Sequence, residues 1–174
     1  MDSRDVLLDA LGRVEESMRM TLDGLSPEQL ASRPAAAANS IGWLAWHLTR
    51  VQDDHVSELA SRPQAWVADG WHARFDRPAD PDDTGFGHTP EQVGSLRPES
   101  AQVLLDYYTA VHQRSVEYIR QLSPADLDRV VDERWDPPVT AGVRLVSVIN
   151  DCTQHVAQMA YVRGLLEDRR WFPW

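Results

Sequence analysis

The stretch Leu145-Val146-Ser147-Val148-Ile149-Asn150-Asp151-Cys152-Thr153-Gln154-His155-Val156-Ala157-Gln158-Met159-Ala160-Tyr161-Val162 has the spacing of a buried helix. At about 100° per residue, one face carries Val148, Cys152, Met159, Val162 and Leu166. His155 falls near the centre of this face and Asp151 on its flank. A carboxylate there is costly unless it is paired or bound to a cation. Side chains at i and i+4 point the same way, so both residues can reach one ion. Metal binding is the leading interpretation; the alternative is that Asp151 accepts a hydrogen bond from His155 or pairs with Arg144.

Three other stretches share the helical periodicity, which predicts an all-α protein. The first has its start signal at Asp2 or Ser3, and its apolar residues are Leu7, Leu11, Val14, Met18, Leu22 and Leu25. The second spans about residues 40–59, the third about 98–122, and the stretch quoted above belongs to a fourth over about 142–167. Strand-like alternation is nearly absent. Four long amphipathic helices in a chain of 174 residues predict a four-helix bundle and a single domain, 1–174.

Two connections repeat the same pattern. Ser26-Pro27 follows the first helix and Ser123-Pro124 follows the third, and each pair is typical of an N-cap followed by the first residue of a short helix. We therefore expect helices one and two to form one hairpin and helices three and four another, related by a pseudo-twofold axis.

The composition excludes several classes of function. The chain has a net charge of −10, with 17 arginines and no lysine, and its arginines form no run. Nucleic acid is therefore not an expected partner. No stretch approaches the roughly 18 apolar residues of a membrane helix, and residues 1–5 have neither the basic region nor the apolar region that would predict secretion. One cysteine, Cys152, fits a reducing compartment. We expect a cytoplasmic protein that does not contact the membrane.

A second histidine belongs to the same candidate site. His47 lies at the edge of the apolar face of the second helix, in Trp43-Leu44-Ala45-Trp46-His47-Leu48-Thr49-Arg50. A lone histidine in such a position is more often a hydrogen-bonded core residue than a ligand. An Asp-x-x-x-His pair on a facing helix reverses that preference. His47, Asp151 and His155 would form a three-ligand nitrogen and oxygen site with open coordination positions, suited to one divalent ion, zinc or nickel.

These residues resemble a known family. The segment of residues 43–50, together with Asp151-x-x-x-His155-Val156-Ala157-Gln158 on the last helix, is similar to the DinB/YfiT-like superfamily. The resemblance spans nearly the whole chain. It is closest to the actinobacterial branch near the mycothiol-dependent maleylpyruvate isomerases, which has an acid at the position of Asp151. It implies a bundle that holds a divalent metal through His47, Asp151 and His155.

The resemblance also implies a chemistry. Members join a low-molecular-weight thiol to a small electrophile, or use the thiol as cofactor in an isomerisation. A metal with open positions lowers the pKa of a bound thiol, so a thiolate exists at neutral pH. We expect a mycothiol-like cosubstrate and a small-molecule substrate. The alternatives are a non-catalytic metal-binding bundle and a metal-dependent hydrolase. No catalytic residue is assigned.

Four further residues near the site need an interpretation. His55 is either a proton donor, an extra ligand or a hydrogen-bonded core residue. Arg144 either binds a substrate carboxylate or neutralises Asp151. Trp43 is expected to pack with one side facing the site, so these three are the candidate substrate-binding residues. Cys152 is expected to be a small buried side chain.

Residues 62–98 form the least regular part of the sequence and predict a long loop between helices two and three. Asp80, Asp82 and Asp83 lack the remainder of a calcium-loop pattern, so a solvated loop is favoured. A long aromatic-rich loop can also cover a cavity, which makes His72 and His88 minor candidates for pocket residues. The apolar tail, residues 171–174, is expected to pack on the bundle or on a second subunit, as in a homodimer.

Overall fold

The chain folds into helices joined by short connections, and the computed structural model describes residues 1–170. The elements in chain order are α1 (Ser3–Leu22), α2 (Pro27–Ala31), α3 (Ile41–Leu59), α4 (Ala65–Ala68), α5 (Trp71–Arg74), α6 (Pro90–Ser95), α7 (Ala101–Gln121), α8 (Pro124–Leu127), β1 (Val130–Asp132), β2 (Val139–Thr140) and α9 (Ala141–Leu166). The four long helices α1, α3, α7 and α9 correspond to the four predicted stretches. The all-α four-helix bundle is therefore confirmed. The predicted tail, residues 171–174, lies outside the described residues.

Each long helix begins directly after a polar residue whose side chain accepts hydrogen bonds from the first turn. These N-cap residues are Asp2, Ser40, Ser100 and Thr140. Such caps satisfy backbone amides that have no partner within the helix. The third helix starts at Ala101 rather than near Pro98, because Ser100 is the residue that caps it.

The predicted pairing of consecutive helices into hairpins is wrong. The main neighbours of α1 are α7 and α9, and those of α3 are also α7 and α9, so α1 and α3 lie diagonally across the bundle. Residues 23–40, which join α1 to α3, are more numerous than the 2–8 residues of a usual helix–helix connection, so they can cross the end of the bundle.

The repeated Ser-Pro pattern has the predicted local structure. Ser26 and Ser123 each cap a short helix with proline at its first turn, and α2 then packs on α3 as α8 packs on α9. The order α1, α2, α3 is thus repeated as α7, α8, α9, and the four contacts between long helices have the pattern that a pseudo-twofold axis would produce. The pseudo-twofold relation therefore stays a prediction, whereas the hairpin pairing is replaced by the diagonal arrangement of α1 and α3.

Residues 62–98 are more regular than predicted. Instead of one irregular loop, they contain the short helices α4, α5 and α6. Asp53 on α3 accepts hydrogen bonds from the backbone amides of Ala65 and Trp66 at 2.9 and 2.8 Å, and so holds the start of α4 from a distance. Thr89 caps α6, with proline at the next position, which repeats the signal at Ser26 and Ser123. The contact of Asp53 with the start of α4 joins residues that are distant in sequence, so local sequence patterns do not predict it.

A two-stranded antiparallel hairpin, β1 and β2, leads directly into α9. Within residues 1–170, no helix is both long and apolar enough to cross a bilayer. The core lies among the long helices, and its largest buried side chains include Trp46, Trp66, Tyr107 and Tyr108. The packing of α3 on α9 within this core places the candidate site.

Candidate metal centre

The contact between α3 and α9 brings His47, Asp151 and His155 together. One ligand atom from each of these residues lies within 4.8 Å of the other two. The rings of His47 and His155 meet at a centroid distance of 4.7 Å and an angle of 62°. His47 comes from α3, whereas the other two residues lie one turn apart on α9. The structure therefore brings together the three residues that the sequence predicted as ligands, one from α3 and two from α9.

Both histidines have one ring nitrogen committed to a backbone carbonyl. Nδ1 of His47 lies 2.5 Å from the carbonyl oxygen of Thr84, and Nδ1 of His155 lies 2.8 Å from that of Asp151. A carbonyl oxygen only accepts, so each Nδ1 is the donor and carries the hydrogen. The lone pair of each neutral ring is then on Nε2. Metal-binding histidines usually donate one ring N–H to a carbonyl or carboxylate in this way and bind the ion through the other nitrogen.

Asp151 has an oxygen with no hydrogen-bond partner. Its Oδ2 is the one carboxylate oxygen in residues 1–170 that is buried and unsatisfied. His155 Nδ1 lies 3.4 Å from this oxygen, but its hydrogen is directed to the carbonyl of Asp151. Arg144 bonds to His55 and Asp132 instead. His155 and Arg144, the two residues that could have paired with Asp151 in the absence of a metal, therefore both leave its Oδ2 without a hydrogen bond.

The donor set fits a divalent cation. Leaving a buried acceptor unpaired costs about 1–3 kcal/mol, and a cation held between this oxygen and the two imidazoles would remove that cost. Two imidazole nitrogens and one carboxylate oxygen are ligands that zinc and nickel accept. The residues present therefore fit a metal site with three protein ligands, in which coordination positions stay open.

The site is closed on the α3 side and open on the α9 side. His47 is buried, whereas the side chains of His155 and Asp151 are 17% and 33% exposed. Burial lowers the pKa of His47 below its usual value, and the hydrogen bond to Thr84 opposes this shift only in part. His47 is therefore held in the neutral form that a metal requires, and a small molecule can approach from the α9 side.

Trp43 forms one wall of the site. Its ring stacks on that of His47 at a centroid distance of 4.7 Å and an angle of 13°. Its Nε1 donates a hydrogen bond of 3.2 Å to Nδ1 of His88. The two histidines that were minor candidates for pocket residues, His72 and His88, therefore lie in different surroundings. His88 lies in the layer behind the wall, whereas His72 packs against Trp66. Trp43 thus has the predicted packing role next to the site.

His55 and Arg144 contact each other rather than the candidate ligands. Arg144 Nη1 donates to Nδ1 of His55 at 3.0 Å, and Nη2 donates to Asp132 at 3.3 Å. The hydrogen of a neutral His55 is then on Nε2. Burial lowers the pKa of His55, and Asp151 is among the charges that oppose this shift, so the pair lies within electrostatic range of the site.

The prediction that Cys152 is a small buried side chain is confirmed. The residue has no exposed surface. Its sulfur lies 3.7 Å from the carbonyl oxygen of Leu48 and from the amide oxygen of Gln52. Burial raises the pKa of the thiol far above its usual value, which removes the thiolate form and with it the nucleophile.

Sequence reasoning missed the contribution of the segment around Gly85. The carbonyl of Thr84 contacts His47, and Gly85 follows with φ +89°. A Cβ at Gly85 would lie 2.8 Å from Trp46 and 3.1 Å from Nδ1 of His47. The two glycines at 85 and 87, within a segment rich in aromatic residues, were the available signal for a close backbone approach.

A four-helix bundle with a candidate three-ligand site between two of its helices defines the class of protein. Residues 10–159 match the DinB superfamily. The chain therefore belongs to this superfamily.

Two solved structures are similar to this chain. A conserved protein from Enterococcus faecalis has a TM-score of 0.90 and 32% sequence identity, with 97% of this chain and 99% of that one covered. A DinB-like protein from Bacillus cereus has a TM-score of 0.63 and 21% identity, with coverage of 94% and 92%, and it shares the fold. A comparison with curated proteins gives no match.

Proposed function

We propose that this DinB-superfamily protein binds one divalent ion, zinc or nickel, through His47, Asp151 and His155. The observation that carries the proposal is the buried Oδ2 of Asp151, which has no hydrogen-bond partner although two imidazoles lie beside it. The two ring nitrogens committed to carbonyls support it, because they leave both Nε2 atoms available. The sequence resemblance assigns the same three residues.

We further propose that the metal site uses a low-molecular-weight thiol, of the mycothiol type, for transfer to a small electrophile or for its isomerisation. A divalent ion held by three protein ligands would lower the pKa of a thiol bound at an open position. The protein's own thiol, Cys152, is buried and protonated, so the thiol has to come from solution. The acid at position 151 supports the likeness to the isomerase branch.

The surrounding residues then have distinct roles. Trp43 covers one side of His47 and excludes water from it. Nε2 of His55 carries a hydrogen, and Arg144 lies next to this ring while it pairs with Asp132 and lies 3.9 Å from Glu58, so the two side chains would offer N–H donors rather than net positive charge to an anionic group of the substrate. Exposure of Asp151 and His155 gives the substrate its entry. The proposed substrate is therefore a small, anionic electrophile, and nucleic acid is not a proposed partner.

Cobalt substitution tests the thiol proposal. Thiolate bound to cobalt gives intense charge-transfer bands, so titration with mycothiol, glutathione or cysteine should produce them in the cobalt protein. His155→Ala, which removes one ligand, should abolish the response. Turnover of maleylpyruvate-like electrophiles should require both metal and thiol. A cobalt protein that responds to none of these thiols would overturn the proposal.

The same experiment separates the alternatives. Stoichiometric metal without any thiol response identifies a non-catalytic metal-binding bundle. Ester or amide hydrolysis that needs the metal but no thiol identifies a hydrolase, which the exposed side of the site also permits. In either case the metal proposal stands and the thiol proposal falls.

A homodimer remains a separate proposal. The face of α9 that points away from the bundle carries large apolar side chains that are each more than half exposed: Val143, Val146, Tyr161 and Leu165. Val143 and Val146 lie near the start of α9 and Tyr161 and Leu165 near its end, and we propose that both groups belong to one interface with a second copy of the chain. Light scattering on the purified protein should give twice the chain mass, and the variant Val146→Glu should return it to the monomer value.

A further inference from the structure

A segment outside the bundle, residues 81–88, lies directly over one of the candidate ligands. The carbonyl oxygen of Thr84 is 2.5 Å from Nδ1 of His47. Four residues further on, His88 accepts a hydrogen bond from Nε1 of Trp43, which is the ring that stacks on His47. The imidazole of His47 is thus held by the segment on one edge and by Trp43 on one face.

The segment is fixed by a buried arginine on the ligand's own helix. Arg50 follows His47 by three residues on α3 and has no exposed surface. Its Nε donates to the carbonyl of Asp83 at 3.0 Å, and its Nη2 donates to the carbonyl of Pro81 at 2.8 Å. His47 and Arg50 both lie on α3, and Arg50 binds the carbonyls on the N-terminal side of Thr84. The same helix therefore positions both the ring of His47 and the carbonyl that accepts its hydrogen bond.

The side chain of Asp83 also holds the segment of residues 81–88 in place. One carboxylate oxygen accepts from Arg77 at 2.8 Å, and the other lies 2.9 Å from Nε2 of His88. The Asp83 side chain is only 18% exposed, unlike the neighbouring Asp82, which is exposed. The expectation of a solvated loop is therefore wrong at Asp83, since its carboxylate is used inside the protein.

Gly85 makes the close approach of the segment possible. Its φ of +89° is in the region that favours glycine, and an added Cβ would lie 2.8 Å from Trp46, 3.0 Å from Trp43 and 3.1 Å from His47. Gly87 also has a positive φ, +77°, but an added Cβ there would meet nothing within 4 Å. The two glycines therefore differ in contact with the site while they share the same class of backbone conformation.

We propose that residues 83–85 are a positioning element for the metal ligand His47, in which the Thr84 carbonyl sets the ring and its tautomer, while Arg50, Asp83 and Gly85 hold that carbonyl in place. This inference rests on the proposed metal site. An imidazole that loses its acceptor can rotate or change tautomer, and it then presents the wrong nitrogen to the ion. Outer-sphere partners of this kind usually change metal affinity by about 10- to 100-fold.

The matched pair Gly85→Ala and Gly87→Ala tests the inference. Zinc affinity is measured by competition with a chromophoric chelator, and the Nδ1–H signal of His47 is followed by NMR in the metal-free protein. Gly85→Ala should weaken zinc binding by about 10- to 100-fold and abolish or shift the His47 signal. Gly87→Ala carries the same backbone strain without the contact, so it should keep both properties close to wild type.

The outcomes separate this inference from the function on which it rests. If wild type binds no zinc, the proposed function fails. If wild type binds zinc and Gly85→Ala binds it equally with an unchanged His47 signal, the positioning role alone is overturned. Should Gly85→Ala lose its helical structure, Asp83→Ala carries the test, with the exposed Asp82→Ala as control. Zinc affinity of Asp83→Ala equal to that control would likewise overturn the positioning role.

Discussion

Asp151 and His155 are one turn apart on α9, and the Nδ1 of His155 lies closer to the backbone carbonyl of Asp151 than to its carboxylate. The two distances are 2.8 Å to the carbonyl oxygen and 3.4 Å to Oδ2. The carbonyl therefore takes the hydrogen and the carboxylate stays free. An aspartate that only served to orient the histidine would use its side chain for that bond, so this geometry favours a carboxylate reserved for an ion.

The variant Asp151→Asn should distinguish the effect of the unpaired carboxylate on stability from its role in binding a metal ion. Without metal, the variant should be at least as stable as wild type, because it removes a charge whose buried Oδ2 has no partner. Zinc should then raise the melting temperature of wild type but not that of the variant. Calorimetry with and without zinc measures both. A metal-free variant that is clearly less stable than wild type would mean that Asp151 is a structural residue.

Arg144→Met should leave metal binding intact and weaken anion binding. Arg144 bonds to His55 and Asp132 and to neither histidine of the candidate site. Zinc content should therefore equal that of wild type, while acetate should perturb the spectrum of the cobalt protein at higher concentration. Arg134→Met is the matched control, since Arg134 pairs with the same Asp132 but is 85% exposed. Equal acetate responses in both variants would exclude Arg144 from the substrate site.

Cys152 should not react with thiol reagents in the folded protein. Its sulfur is buried, and burial raises the thiol pKa far above the usual value. Ellman's reagent should label wild type only after denaturation. Cys152→Ala should retain zinc binding and any thiol-dependent turnover, apart from the stability lost with a small buried side chain. Rapid labelling under native conditions, or loss of turnover at unchanged zinc content, would make Cys152 a functional thiol.

The imidazole of His112 should make the protein less stable at acidic pH. It lies 3.2 Å from Glu15 at the contact of α1 with α7; burial lowers its pKa, Glu15 opposes that shift and Arg19 adds to it. The unfolded chain therefore binds the proton more readily. The stability that His112 contributes is fully present above the unfolded pKa of about 6.5 and is lost as the pH falls through the lowered pKa of the folded protein.

Urea unfolding of wild type and His112→Gln between about pH 5 and 8 tests this sign. The pKa values of His47 and His55 are lowered in the same way, so a slope remains in the variant. The slope of unfolding free energy against pH should nevertheless be smaller in His112→Gln than in wild type. Identical slopes would show that His112 takes up its proton equally in both states.

Much of the bundle could be predicted because helical faces are local properties. The apolar periodicity fixed the four long helices, and residues such as Ser40 and Ser26 marked where helices begin. The spacing of Asp151 and His155 placed both on one face, and His47 joined them because it lies on an apolar face as well. The arrangement of helices could not be predicted in the same way, because a pattern defines the buried face but not the neighbour that covers it.

The parts of the site that depend on the backbone were not predictable from the sequence. Thr84 contributes its carbonyl, which every residue has, so no side-chain pattern marks it. The start of α4 depends on Asp53, twelve residues earlier on another helix, and so escapes a local search for capping signals. The burial of Arg50 depends likewise on partners at residues 81 and 83 that are backbone carbonyls.

Metal content of the purified protein and of His155→Ala tests the central claim most directly. Gln154→Ala is the matched control, since the preceding residue is exposed on the same helix. Elemental analysis after dialysis against zinc should give one ion per chain in wild type and in Gln154→Ala, and none in His155→Ala, while circular dichroism shows an unchanged helical content in all three. Equal zinc content in wild type and His155→Ala would contradict the account.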